Sequence, residues 1–166
     1  MVLKNQKWYK MLGLFFENPD KVYTIREISK KTKIPTSSVQ RYLKLLDKEN
    51  IVKDNKLNFN SYSKFIKTYF FIDKVYQSGL LEYLEEKMNP SCIIVFGGVR
   101  KGEYDKESDV DIFVESSESK NVDLSSFERK LKHRIDLFVE PNINKLSKPL
   151  LNNVVNGIKV YGSFKI

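Results

Sequence analysis

Two carboxylates one residue apart, Asp109 and Asp111, open the run "SDVDIFVE". The alternation of Val110, Ile112 and Val114 that follows is that of a strand, and on a strand the spacing i, i+2 sends both acids to one face. Like charges side by side repel unless a cation lies between them, and hard divalent ions take oxygen ligands of this kind. The pair reads as a site for Mg²⁺ or Mn²⁺, suited to neutralising a polyphosphate and activating an attacking hydroxyl. Twenty-five residues on, "DLFVE" begins at Asp136 as "DIFVE" begins at Asp111. Ile135, Leu137 and Val139 alternate there with Asp136, Phe138 and Glu140, so the two strands share one in-and-out sense. Glu115 and Glu140, further along the pleats, mark strand ends too distant to join a metal.

Upstream, "CIIVFGGVRKG" predicts a buried strand from Ile93 to Phe96 that turns sharply at Gly97-Gly98. Adjacent glycines let a ligand approach the backbone and expose its N–H groups, and a helix behind them makes a phosphate-binding corner. An apolar residue, two glycines, about ten residues and then Asp-x-Asp in apolar surroundings together resemble the DNA polymerase beta-like nucleotidyltransferase superfamily. The likeness is strongest to its minimal prokaryotic members and covers about residues 90–162.

That resemblance implies that Gly97 and Gly98 contact phosphate, that Asp109 and Asp111 hold the metal, and that Ser108 lines the nucleotide site. The family commonly has serine at the position of Gly98, so a hydroxyl contact is absent here. Lys101 matches a position often held by arginine, with Arg100 beside it as the alternative phosphate contact. Members that transfer nucleotides usually need a third carboxylate from a neighbouring strand, and Asp136 takes that part, completing a catalytic and metal-holding set. The implied substrate is an NTP, ATP first among them. The implied acceptor is a hydroxyl, either a tyrosine on a toxin-like partner protein, as with antitoxins that adenylylate a companion ribonuclease, or a small molecule such as an antibiotic. The alternative function is a transcriptional regulator whose nucleotidyltransferase-like part senses nucleotide with little catalysis.

The elements ahead of this site carry most of the charge. Residues 1–60 hold 13 Lys and Arg against 6 Asp and Glu, whereas residues 61–166 hold 16 against 15, so the net charge of +8 lies almost wholly in the first third. A basic segment joined to a neutral one is the asymmetry of a chain that meets a polyanion with one part only. Trp8, Met11, Leu12, Phe15 and Phe16 form a helical stripe that Asn18-Pro19 ends. Thr24 with Glu27, and Ser37 with Gln40, are capping boxes for two further helices, the second carrying Val39, Leu43 and Leu46. A strand, an Asp54-Asn55 turn and a returning strand complete the segment. Three helices and a hairpin resemble the winged helix-turn-helix family, which some archaeal members of the superfamily carry ahead of a connecting helix. Thr36, Ser37, Ser38, Gln40, Arg41 and Lys44 then face DNA, and Lys53 and Lys56 on the wing reach phosphates.

Residues 61–88 carry Phe65, Tyr69, Ile72, Tyr76, Leu80 and Leu84 at close to helical period, with Gly79 able to break or bend the run. This predicts a connecting helix whose aromatic face packs, or joins two copies as a homodimer. The expected fold class is α+β: a winged helix over residues 1–60, a connecting helix over 61–88, and a nucleotidyltransferase domain with a mixed sheet flanked by helices over 89–166. "KPLLNNVVNG" predicts a short amphipathic helix before a last strand at Lys159 to Tyr161. No apolar run approaches the roughly 20 residues of a membrane span, and no leader pattern opens the chain, so a cytoplasmic protein without membrane partners is expected. Cys92, within "CIIVF", reads as core rather than nucleophile. His133, the single histidine, excludes a multi-histidine zinc site and, between Lys132 and Arg134, reads as an exposed residue at a strand entrance.

Overall fold

The computed structural model describes residues 6–118 and 121–165. Contacts divide the chain between Phe70 and Phe71 into two units.

In the first unit, helix α1 (Gln6–Glu17) buries Met11, Leu12, Phe15 and Phe16 as its spacing predicts. The capping box of α2 (Ile25–Thr32) forms in both directions: Thr24 Oγ1 accepts the Glu27 N–H at 3.2 Å, and the Glu27 carboxylate accepts the Thr24 N–H at 2.8 Å. Helix α3 (Thr36–Lys48) buries Val39, Tyr42, Leu43 and Leu46. Its N-cap is Pro35, with no side-chain cap bond. The expected Ser37–Gln40 box is therefore absent, because the helix starts early enough to place Ser37 inside its first turn. Strands β1 (Val52–Lys53) and β2 (Lys56–Leu57) pair antiparallel. Asp54 and Asn55 between them adopt φ of 50° and 57°, the two left-handed positions of a tight hairpin turn.

Helix α4 (Ser61–Ser78) contains the boundary between the units. On the first-unit side Phe70 packs on Tyr9 and Phe16, with ring centroids at 4.3 and 5.2 Å. The expected packing stripe differs: Phe65, Tyr69 and Tyr76 are each about half exposed, while Phe70, Phe71 and Val75 are buried. Two apolar faces on α4 satisfy helical period, and ring contacts with Phe70 decide which of them turns inward. Gly79, at φ 80°, separates α4 from α5 (Leu80–Met88), so residues 61–88 form two helices rather than one. Helix α5 buries Leu80, Leu81, Leu84 and Met88.

The second unit is built on a four-stranded mixed sheet. Strand β3 (Cys92–Val95) leads through the short helix α6 (Gly97–Lys101) to β4 (Val110–Glu115). Helix α7 (Ser125–Leu131) then crosses to β5 (Ile135–Glu140), and α8 (Lys148–Val155) precedes β6 (Ile158–Gly162). The order is β5-β4-β3-β6, with β4 and β5 parallel and the other pairs antiparallel. On one face Cys92, Ile94, Phe96 and Phe113 pack with Val154 of α8, and Phe138 joins them. Ile93, Val95, Val110, Ile112 and Val114 point to the other face and are buried as well. A sheet covered on both faces is rigid where its strands end, and that is where the acids lie.

Candidate active site

The register of β4 on β5 sets Asp111 opposite Asp136, as part of an unbroken series from Val110↔Ile135 to Glu115↔Glu140. Register partners on parallel strands point to the same face, so the two aspartates that open "DIFVE" and "DLFVE" stand side by side. Asp109 lies just before β4, where the chain is held by a turn rather than by strand pairing. In that turn the Ser108 hydroxyl donates to Asp105 Oδ1 at 3.0 Å and accepts the Asp105 N–H at 3.0 Å. The Glu107 N–H donates to the same Asp105 oxygen at 3.0 Å. Ser108, expected at the nucleotide, thus has its hydroxyl engaged within the turn.

The third side of the site is the glycine corner. Gly97 has φ 66°, and a Cβ added there would fall 1.9 Å from Asp111 Oδ2. Glycine is required twice over, by the left-handed backbone and by the carboxylate lying against it. Gly98 differs, since a Cβ there would meet nothing nearer than the Tyr104 backbone nitrogen at 4.0 Å. The position commonly occupied by serine in the resembling superfamily is therefore open to a side chain. Val99 is buried and orients α6, leaving Arg100 and Lys101 exposed in its last turn. Gly102 ends the helix at φ 65°.

Asp111 is half-buried, and its carboxyl is held above the usual aspartate range, first by loss of hydration and then by the charges of Asp136 and Asp109. Asp109 and Asp136 are exposed. Among the described residues no three Asp, Glu, His or Cys side chains already stand as a group able to hold a metal. Asp111 and Asp136 share a face, and Asp109, set by its turn rather than by the sheet, contributes to the same electrostatic field. The donor set is all carboxylate oxygen, and Asp111 is strained as an anion by its two neighbours. Both features fit a hard divalent cation.

His133 departs from expectation. It is 5 % exposed, its ring meets Phe71 and Tyr104 edge-on at centroid distances of 5.0 and 6.0 Å, and Nδ1 lies 2.6 Å from the Ser108 carbonyl oxygen. A carbonyl only accepts, so Nδ1 carries the proton. The imidazole thereby pins the residue before Asp109. Period two extended back from Ile135 puts His133 on the buried side, and this was the signal for it; its charged neighbours Lys132 and Arg134 masked that parity. Glu115, expected only to mark a strand end, is buried, with Oε1 accepting from Ser91 Oγ at 2.6 Å and Oε2 from the Ile143 N–H at 2.7 Å.

Beside Asp109 opens a cleft of about 690 Å³ between the 106–109 turn, α7 and the start of β5. Cys92 is fully buried, and burial, with Glu115 adding to it, pushes its thiol up to about 11. It takes no part in the site.

In the first unit Thr36, Ser37, Gln40, Arg41 and Lys44 are exposed on α3, Ser38 is half-buried, and Lys53 is exposed on β1. Lys56 pairs with Asp20 at 3.1 Å.

The family model described as a nucleotidyltransferase domain matches residues 78–164. No curated protein and no solved structure matches the chain.

Proposed function

Because the chain belongs to the nucleotidyltransferase domain family, we propose that it moves a nucleoside monophosphate from an NTP, ATP first among them, to a hydroxyl acceptor. The observation that carries this reading is the side-by-side pairing of Asp111 with Asp136, against the glycine corner and within the field of Asp109. A Mg²⁺ or Mn²⁺ ion held by Asp109, Asp111 and Asp136 would supply charge neutralisation on the triphosphate and activation of the acceptor hydroxyl. The backbone N–H groups at Gly97 and Gly98 face the phosphates, and Lys101 or Arg100 adds positive charge next to them. Asp111, packed against Gly97, fixes the distance between that corner and the carboxylates. The acceptor oxygen bonds to the α-phosphorus as the bond to the bridging oxygen breaks, pyrophosphate leaves, and the hydroxyl proton is released to water. His133 and the Asp105–Ser108 turn hold Asp109 at the mouth of the site.

Incubation with α-labelled ATP, Mg²⁺ and cell extract tests the reading and reports the acceptor as the labelled species. A labelled polypeptide would support a toxin-like partner and an antitoxin role; a labelled small molecule would support antibiotic-type modification. The alternative of a nucleotide sensor with little turnover draws on the absence of a ready-gathered carboxylate trio among the described residues. Nucleotide binding without any labelled product would favour it.

The first unit reads as a winged helix that binds DNA through α3 and the hairpin, a reading supported by its charge surplus and by the exposed Gln40, Arg41, Lys44 and Lys53. A gel-shift series on the chain's own upstream DNA tests it: affinity should fall steeply with salt, and no retardation at low salt would reject it. The half-exposed Phe65 and Tyr69 on α4 support self-association, to be read from the sedimentation mass of the wild type against Phe65→Ser.

A further inference from the structure

The cleft beside Asp109 is lined by four basic side chains, Lys106, Arg129, Lys132 and Arg134. Their charges are not spent equally. Of the three acids in the wall, Glu107 is paired with Lys106 at 3.1 Å, Glu128 accepts the Ile135 N–H at 3.0 Å, and the third is Asp109 itself. Arg129, Lys132 and Arg134 are exposed, and none of them forms an ion pair among the described residues. Arg129 gives its Nε–H to the Ser125 carbonyl at 3.3 Å and lies near enough to Asp123 to lower that acid. Arg134 precedes the Val110↔Ile135 register pair by one residue, as Asp109 does on the neighbouring strand. Two guanidinium groups and an ammonium therefore gather next to a proposed catalytic carboxylate, in a hollow of about 690 Å³.

The sheet order gives the cleft a side. The glycine corner stands at the end of β3, the aspartates at the starts of β4 and β5, and the cleft beyond them at α7, the helix leading into edge strand β5. An in-line displacement puts the attacking oxygen opposite the leaving pyrophosphate. With the donor's phosphates at Gly97 and Gly98, the acceptor arrives from the far flank, through the cleft. Arginine forks and lysine suit phosphate oxygens, the arginines by paired hydrogen bonds.

We propose that this cleft is the acceptor subsite and that the acceptor is a phosphate-bearing molecule, its phosphate held by Arg129, Lys132 and Arg134 while its hydroxyl is presented beside Asp109. The proposal rests on the transferase reading above. The phosphate can belong to a free nucleotide or to the end of an oligonucleotide, and either carries phosphate and hydroxyl within one ribose unit.

The test compares the full chain with Arg129→Gln/Lys132→Asn/Arg134→Gln. Asparagine suits position 132 because Lys132 sits at φ 61°, which asparagine tolerates. Both proteins keep the same first unit, so any difference in binding arises in the cleft. Probes are AMP, a short single-stranded oligoribonucleotide, an acidic oligopeptide, and an ATP analogue with a methylene bridge between the α- and β-phosphates and Mg²⁺. Thermal unfolding first establishes that the variant is folded. The expected result is a loss on the order of tenfold or more in affinity for AMP or the oligonucleotide, as removal of two or three charge-assisted bonds implies, with ATP-analogue affinity within about twofold. Loss confined to AMP identifies a free-nucleotide source, and loss larger for the oligonucleotide identifies a chain end. Unchanged binding of both overturns the proposal. So does an equal loss for the ATP analogue, which would make the cleft a donor site, or an equal loss for the acidic peptide, which would reduce it to a general positive field. An ATP analogue that binds neither protein would instead count against the transferase reading, while the AMP comparison still reports on the cleft.

Discussion

Replacing Gly97 by alanine should separate the site's geometry from its chemistry. At φ 66° the left-handed backbone costs an L-residue roughly 1–2 kcal/mol. The methyl group would also fall 1.9 Å from Asp111 Oδ2, so the carboxylate has to move. The backbone cost alone should lower the melting temperature by roughly 4–15 °C in a unit of this size, and displacement of Asp111 should abolish label transfer even at temperatures where the variant is folded. Gly98→Ala meets no such obstacle and should stay within about 0.5 kcal/mol of wild type. The contact between Gly97 and Asp111 is isolated by a double-mutant cycle read by thermal unfolding. In an Asp111→Ala background the carboxylate contacts at 1.9 and 2.8 Å are gone and only the 3.3 Å approach to the remaining Cβ is left, so Gly97→Ala should cost little beyond its backbone part. A Gly97→Ala protein as stable as Gly98→Ala, or a cost identical in the two backgrounds, would refute the packing of Asp111 against the glycine corner.

Three further outcomes follow from the same geometry. Since the folded-state carboxyl of Asp111 titrates above its unfolded value, its ionisation destabilises the fold; the penalty is absent below the unfolded value near pH 4 and grows as pH rises through the higher folded one. Asp111→Asn should thus melt higher than wild type at neutral pH in chelator and lose that advantage at acid pH; equal differences at both would contradict the shift. Glu115→Ala leaves the Ile143 N–H and the Ser91 hydroxyl without their acceptor and should cost about 2–3 kcal/mol in denaturant unfolding. The Cys92 thiol, buried and raised to about 11, should resist a thiol reagent at pH 8 until the protein is unfolded; rapid native-state labelling would place it elsewhere.

What was legible in the sequence was local. Thr24 and Glu27 lie three residues apart and make their box unaided, and Asp54-Asn55 needs only its own left-handed tolerance to turn the hairpin. Period two announced β4 and β5 and put Asp111 and Asp136 on matching faces, which parallel register then turned into neighbours. The features that escaped depend on what lies across the fold. Nothing near Gly97 reveals that Asp111 will press on it, and nothing around Glu115 reveals the Ile143 N–H awaiting an acceptor. On α4, Tyr69 and Phe70 are adjacent aromatics that both fit a helical stripe, and the ring contacts of Phe70 with Tyr9 and Phe16 accompany its burial while Tyr69 stays half-exposed. His133 was misread because flanking charge outweighed its parity with Ile135.

The central claim, that Asp111 and Asp136 together with the glycine corner make a nucleotidyl-transfer site, is tested most directly by comparing label transfer from α- and γ-labelled ATP in Mg²⁺. Wild type, Asp111→Asn and Asp136→Asn would be run in parallel with cell extract as the acceptor source. The account predicts that the α-label alone reaches the acceptor and that each substitution lowers transfer by roughly a hundredfold or more. Transfer from the γ-label, or α-label transfer undiminished in Asp136→Asn, would contradict it.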